Sequence, residues 1–400
     1  MNIGEFSDSF LPIVDGVGRV VYHYAVTLTE KGHDCYVITP SNDTGYRGRL
    51  PFEIVDFAGV PVPGSPQYRA GIAVLDRHYY ERLRLIPLDI VHAHDPFTAG
   101  QEAFRIAMRR DIPLVGTFHS KYYDDFYKAT GKVLAAIGVR YVVDFYERCD
   151  EVWAVSQSSA DVLHDYGYRG DVIVMPNGTE LRDRRAEDLE LINTRFRLGD
   201  DKPVLLFVGQ INWKKNILRI LEAAALLKAR GASFWLVLAG QGPDEDDVLA
   251  KVKELSLEDS TVFTGHLRET ALLDGLYQRA SLFVFPSIYD NAPMVLREAA
   301  AMGTPSVLTR GSCAAEAVND GENGLLAEDS SEDLANVLLQ NLSDAARLNA
   351  LGEAARKTIA VPWDGIIDKA LERYRALVEA SKSEDVQKRR AVLRSTLMDK

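Results

Sequence analysis

The sequence predicts an α/β protein built from two similar units, each a parallel sheet with crossover helices. Three observations carry this reading. Short apolar runs alternate with amphipathic stretches along almost all of the 400 residues, the pattern of strands joined through helices. Residues 204–208 are apolar without interruption, as expected of a strand covered on both faces. Between Pro176 and Arg185 the alternation gives way to a turn and a charged stretch that runs on to Lys202-Pro203, which marks a boundary between units.

In the first half, strands are expected at 3–6, 34–39, 89–92, 113–118, 151–155 and 172–175, with helices over 18–31, 101–110 and 133–149. The second half repeats the scheme with strands at 204–208, 234–239, 261–263, 282–285 and 306–308. Beyond about residue 329 the chain reads as helical. Trp363 and Tyr374 lie on a last apolar-periodic helix, and the charged tail 381–400 is expected to fray.

With 46% hydrophobic and 26% charged residues, the chain can form two ordinary domains with full cores. Its net charge of −12 makes nucleic acid a poor partner, since affinity for a phosphate backbone depends on Lys and Arg. Arg105, Arg109 and Arg110 form a local basic cluster on a predicted helix; a solvated helix face is the plainer reading. Cys35, Cys149 and Cys313 show no metal or redox spacing. The first residues lack a basic segment followed by an apolar one, and no stretch approaches the roughly 18 apolar residues of a membrane span. A cytoplasmic location is expected.

Ligands of open parallel sheets bind beyond the carboxyl ends of strands, so the loops that follow strands are where chemistry is expected. The first, 7–18, carries Gly16 and Gly18 before a helix. These glycines permit close approach of a phosphate to helix amides, although ordinary turn chemistry is the plainer reading. After the strand at 204–208 come Gly209, Gln210, Lys214, Lys215 and Asn216. Two lysines ahead of a helix add to its positive end and suit a diphosphate; Lys215 is the expected contact and Lys214 the alternate. The loop Gly240-Gln-Gly-Pro243 leads into Asp244-Glu-Asp-Asp247, where acids in a first helical turn are explained by the helix dipole without a metal. In the first half, His92-Ala-His-Asp95 and Thr117-Phe-His119 follow strands. His119 suits a sugar hydroxyl or a developing charge, or a structural role. Tyr122, Tyr123 and Asp124 then combine aromatic faces with an acid, a composition that suits an acceptor.

The densest stretch is 285–308. A strand leads to Asp290, then to Pro293 and a helix bearing Glu298 eight positions further on. Proline favours a first helical turn, and the amides of Met294, Val295 and Leu296 behind it offer a phosphate site between two acids that suit hydroxyls.

In this order the motifs resemble the retaining glycosyltransferases of family 4. The resemblance covers about residues 2–375 and rests on the glycine loop before Arg19, Gly32-His33, Thr117-Phe-His119, Val155-Ser156, Pro176-Asn-Gly178, Gly209 to Asn216, Gly240-Gln-Gly-Pro243, Gly265, and Asp290 to Glu298 followed by Gly303-Thr-Pro305. It implies the GT-B fold, with two Rossmann-like domains whose parallel sheets face across a cleft. An acceptor domain would span 1–180 and a nucleotide-sugar domain 181–360, with a helix in 361–400 returning to the first. It also implies that Glu298 binds ribose, Asp290 the sugar hydroxyls, the Met294 and Val295 amides sugar and phosphate, and Lys215 the diphosphate. His266 and Leu267 would meet the base, Gly16 the phosphates, and His119 the sugar. Catalytic roles fall to His119, Lys215 and Asp290, with no cofactor, no metal and no protein nucleophile.

Three departures stand out. The family has an arginine where this chain has Gln210, a glutamate at Asp290, and a glycine-phenylalanine-glycine turn at Asn291-Ala-Pro293. A hydrogen bond from a charged group is worth about 1.5–3 kcal/mol, so Gln210 weakens diphosphate stabilisation roughly tenfold or more unless Lys214 or Arg19 compensates. The stretches 59–69 and 91–97 resemble the lipid glycosyltransferase branch, which implies peripheral contact with the inner face of the membrane. The expected reaction moves a hexose or derivative from a nucleoside diphosphate, UDP-linked, to a hydroxyl of a lipid, glycan or small molecule. A noncatalytic sugar- or nucleotide-binding partner and a sugar-nucleotide epimerase are the rivals.

Overall fold

The structure, a computed structural model, describes residues 1–11, 15–40, 49–62, 65–122, 131–199, 202–383, 387–388 and 390–392. The chain forms two compact units, Met1–Asn177 with Trp363–Lys400, and Gly178–Pro362.

In the first unit the strands are β1 (Asn2–Phe6), β2 (Asp34–Pro40), β3 (Glu53–Phe57), a hairpin of β4 (Gly59–Val62) and β5 (Ser65–Gly71), then β6 (Ile90–Ala93), β7 (Leu114–Phe118), β8 (Glu151–Ala154) and β9 (Ile173–Val174). The hairpin stands apart, and the others form one parallel sheet in the order β3-β2-β1-β6-β7-β8-β9. β6 and β7 are buried along their whole length, as a sheet covered by helices on both faces requires. The second unit holds β10 (Val204–Val208), β11 (Trp235–Ala239), β12 (Thr261–Gly265), β13 (Leu282–Phe285), β14 (Ser306–Thr309) and β15 (Leu325–Ala327) in the order β12-β11-β10-β13-β14-β15. Apart from the hairpin, both sheets run outward from their first strand in the doubly wound order. The order reverses between β1 and β6 and again between β10 and β13, and a ligand crevice is expected at each reversal.

The last long helix, Trp363–Ala380, belongs to the first unit. It buries Trp363, Ile366, Ile367, Ala370, Leu371 and Tyr374, a stripe of helical period. Trp363 stacks on His23 with ring centroids 5.0 Å apart, and Tyr374 stacks on Trp153 at 5.5 Å. Lys31 ties the same helix through Asp364 and Asp368. The charged tail does not fray throughout: Arg390 is buried and donates to Asp150 and to the Asp111 carbonyl. Its guanidinium pairs with the largely covered Asp150 carboxylate just before β8; residues 393–400 lie outside the described set. All three cysteines are buried and free. Among the described residues, no helix is long and apolar enough to cross a membrane.

Candidate functional site

In the second unit the loops after β10 and β13 are stitched together at the reversal of strand order. A single helical turn, Trp213–Lys215, is capped by Asn212, whose side chain accepts from the Lys214 amide. Asn216 then adopts a left-handed backbone (φ 59°) before helix Ile217–Ala229, a conformation asparagine tolerates. Its side-chain Nδ2 donates to the Pro286 carbonyl at 3.2 Å, reaching directly from one loop to the other. Alongside, Lys215 Nζ donates to Asp290 Oδ1 at 2.5 Å, and Ser287 Oγ donates to Asp290 Oδ2 at 2.5 Å. Lys214 and Lys215 both lie over the Tyr289 ring, at 5.1 and 5.6 Å. Lys215 and Asp290 are each about a fifth exposed, so they are rigidly held yet reachable.

The loop after β11 acts as a support. Gly240, at φ +143°, and Gly242 pack backbone against backbone: a Cβ on either would stand 1.8 Å from the Gly209 carbonyl oxygen or 2.0 Å from that of Ile211. Ile211 donates to Gln241 O, and Asp244 accepts from the Trp213 amide at 2.9 Å. The acidic run therefore begins with a carboxylate that fixes the lysine turn, while Glu245, Asp246 and Asp247 occupy the first turn of helix Glu245–Glu254. Gln210 and His266 are exposed at strand ends, and Leu267 is half-buried.

Helix Met294–Ala301 starts directly after Pro293, and no side chain caps it. Its Leu296 amide donates to the Pro293 carbonyl, which corrects the expectation that three amides are available and leaves Met294 and Val295 as the candidate donors. Glu298 is buried, and the Tyr277 hydroxyl donates to its Oε2 at 3.1 Å. Asn216 and Ser287 lie inside the stretches 209–216 and 285–308 but were not singled out, because each acts through another group, the Pro286 carbonyl and the Asp290 carboxylate; Tyr277 lies outside every motif and acts through Glu298.

In the first unit, Asp15 caps helix Gly16–Glu30 through the Gly18 amide at 2.7 Å and also accepts from Ser9 and Tyr68. One amide near Gly16 is thus already used, and Gly16 itself is exposed. At the reversal between β1 and β6, Asp8 accepts from the Ala99 amide and the Thr98 hydroxyl, while its own amide donates to Asp95. Burial, and then the neighbouring Asp8 charge, holds the Asp95 carboxyl well above its usual range. His119 is buried and lies 3.0 Å from His94, which contacts Glu5. A pattern did mark this group: His92 and His94 alternate on one strand face, and Glu5 is in register with His92. The ring of Tyr122 packs edge-on against Phe97 and Phe118; Tyr123 and Asp124 lie outside the described residues.

Of the three arginines singled out from the sequence, Arg105 bonds Glu102 and Tyr80, and Arg110 bonds the Leu83 and Ile86 carbonyls. These two are structural. Arg109 lines a surface groove with Arg77, Arg84, Val74 and Leu75, and Arg110 borders it too.

The profile of group 1 glycosyl transferases matches residues 190–358, and that of glycosyltransferase family 4 matches 14–183. The chain is 29% identical to alpha-monoglucosyldiacylglycerol synthase of Streptococcus pneumoniae, over 77% of this chain and 70% of that protein. It is 30% identical to D-inositol 3-phosphate glycosyltransferase of Rhodococcus opacus, over 72% and 67%. Among solved structures, Anabaena HepE in complex with UDP-glucose superposes with a TM-score of 0.75 at 18% identity, covering 94% of this chain and all of that one. Sucrose-phosphate synthase from Thermosynechococcus elongatus gives 0.77 at 20%, covering 95% and 99%. Two doubly wound units, each matched by its own profile, make the chain a member of the group 1, family 4 glycosyltransferases with the GT-B fold.

Proposed function

We propose that this glycosyltransferase moves a hexose or hexose derivative from a UDP-linked donor to a hydroxyl acceptor, with retention of anomeric configuration and without a metal. The observation that carries the reading is the Lys215–Asp290 bond at the strand reversal of the second unit. A cation for the diphosphate and an acid for the sugar stand side by side, with Glu298 on the following helix for the ribose. Met294 and Val295 supply amides, Leu267 and His266 the surroundings of the base, and Gln210 a neutral contact to the phosphates. In the first unit, taken by itself, Gly16, His119 and the segment 122–124 are the residues the resemblance assigns to phosphates, sugar and acceptor.

In the step proposed, the bond between the anomeric carbon and the diphosphate oxygen breaks while the acceptor oxygen bonds the same carbon from the same face. The acceptor proton passes to the departing diphosphate oxygen, so the protein needs to stabilise charge and orient the acceptor rather than attack. Solved relatives named for UDP and UDP-glucose complexes support the donor.

A lipid acceptor is supported by one further observation. Helix Lys132–Tyr146 exposes Val133, Leu134 and Ile137 by more than half, beside Lys132 and Arg140, a face suited to a lipid–water boundary. The relative named for a monoglucosyldiacylglycerol product supports the same class.

The test is nucleotide release and product formation from UDP-glucose with diacylglycerol-containing vesicles or soluble sugars, with and without EDTA. K215A and E298A are expected to lower transfer at least a hundredfold while retaining the fold. Wild-type turnover in either variant overturns the site, and an inverted anomeric proton coupling in the product overturns retention. A second reading, a noncatalytic sugar-nucleotide binder, rests on the exposed neutral Gln210; binding of UDP-glucose without any release of UDP would establish it.

A further inference from the structure

The groove lined by Arg109 lies at the amino ends of the first unit's strands. Helix Thr98–Arg110 leaves the carboxyl end of β6 and finishes just before β7, which puts Arg109 and Arg110 at the end of the sheet opposite to the loops that follow β1 and β6. The turn Ala73–Leu75 and helix Arg77–Leu83 supply the rest of the wall. The space measures about 610 Å³, the size of a small-molecule site. It shares no residue with the site proposed for the donor.

Its charge is unusual for a chain of net −12. Arg77 is offset by Glu81 at 2.8 Å. Arg84 and Arg109 are exposed, and among the described residues neither guanidinium has a hydrogen bond or an ion pair. Arg110 donates to the carbonyls of Leu83 and Ile86, which fix its fork without cancelling its charge. The carboxyl ends of the two helices meet here. Each end carries about half a negative charge, so of the three positive charges roughly two stay unbalanced. Burial lowers Arg110 from the ordinary arginine range, and burial followed by the Arg109 charge lowers Arg105, in agreement with an excess of cations.

Beside these guanidiniums, Val74 and Leu75 expose 67% and 79% of their surface and line the same groove. Aliphatic groups in water next to uncompensated arginines suit one ligand with an anionic end and an apolar body.

We propose that this groove is a second ligand site, for a soluble phosphomonoester whose dianionic phosphate lies between Arg84 and Arg109, with Arg110 as a fixed third cation, and whose apolar body covers Val74 and Leu75. The planar forks of arginine match phosphate oxygens in pairs, and a dianion balances the surplus where a monocarboxylate does not. A membrane fits the groove less well. Helix Lys132–Tyr146 exposes Val133, Leu134 and Ile137 in its first turns, at the carboxyl end of the strands, so a lipid surface meeting them leaves the groove in water.

The test is methyl NMR on full-length protein labelled at Val and Leu, at about pH 7.5, where a phosphomonoester is mostly dianionic. Phenyl phosphate is expected to shift the Val74 and Leu75 methyls and to bind about tenfold more tightly than inorganic phosphate, which lacks the apolar body, and than benzoate, which carries one charge. R84A and R109A should each weaken it about tenfold, R84K should recover part of the loss because it keeps the charge without the fork, and R84A/R109A should abolish binding. L75S should bring phenyl phosphate down to the affinity of inorganic phosphate. All these positions are exposed, so the fold is retained, and UDP titration of the same variants should match wild type, which separates failure of this site from failure of the donor site.

Undiminished binding of phenyl phosphate in R84A/R109A, or shifts confined to methyls outside the groove, overturns the proposal. Equal affinity for benzoate overturns the phosphate assignment. Shifts of Val74 and Leu75 that arise only with phosphatidylcholine vesicles containing phosphatidic acid, and not with phenyl phosphate, would assign the face to a membrane and likewise overturn it.

Discussion

Lys215 Nζ lies 2.5 Å from Asp290 Oδ1, so the cation proposed for the diphosphate and the acid proposed for the sugar restrain each other. A donor must separate them, the phosphate taking the ammonium and a hydroxyl taking the carboxylate. Replacing Asp290 by alanine should therefore tighten UDP, which lacks the sugar, by about tenfold, the lower end of the scale of one charge-assisted hydrogen bond. UDP-glucose transfer should fall in the same variant. Calorimetric titration checks this, and weaker UDP binding in D290A would show that the acid organises the lysine instead of competing for it.

Tyr277 places Glu298 by a hydrogen bond of 3.1 Å inside the core. Y277F removes the donor and leaves the buried carboxylate with less compensation, at a cost of about 1–3 kcal/mol. Urea denaturation should show that loss together with a raised KM for the donor. A drop in stability with KM unchanged would separate Tyr277 from ribose binding.

Acid should destabilise the first unit in two stages. Burial, with His92 for one and His94 and His92 for the other, lowers His94 and His119 below their ordinary 6.5. The unfolded chain then takes up protons first, and stability falls as the pH drops through 6.5. For Glu5, burial raises the carboxyl, but the His92 charge and the hydrogen bonds from His92 and His94 outweigh it and hold it at about 2 against 4.5. Its contribution, present above 4.5, is lost as pH falls towards 2. Tyr24, Tyr374 and Asp95 complete the ionisable surroundings. Urea midpoints should decline from pH 7.5 to 5, less steeply in H119Q; an identical slope in that variant would contradict the assignment.

Gly242 carries the lysine turn by contact alone. G242A would bring a Cβ within 2.0 Å of the Ile211 carbonyl oxygen and force the 209–215 loop to move. Overpacking of this kind costs about 1–3 kcal/mol. Transfer should fall as in K215A, although no substrate-binding atom has been removed. Unchanged transfer would mean that the loop absorbs the shift elsewhere.

The sheets were readable because their strands are apolar runs of the right length: 204–208 and 282–285 coincide with β10 and β13. β3 (Glu53–Phe57) escaped because its polar Glu53 and Asp56 break the run at a sheet edge. β15 (Leu325–Ala327) is too short to show a period. Lys215, Asp290 and Glu298 were legible as residue types after strands. Their partners were not, since Tyr277 reaches Glu298 across 21 residues and Tyr374 meets Glu5 across 369, and pairing at such separations leaves no local trace.

The two crossings between units leave the second unit side by side, where the Thr179 amide meets the Val361 carbonyl. During synthesis the ribosome therefore completes the middle of the protein before it releases the helix that finishes the beginning. Nascent chains halted near residue 362 would carry a sheet whose Tyr24, His92 and Trp153 face still awaits Trp363 and Tyr374. The second unit depends on nothing made after residue 362, whereas the first keeps that apolar face uncovered until the last helix is made.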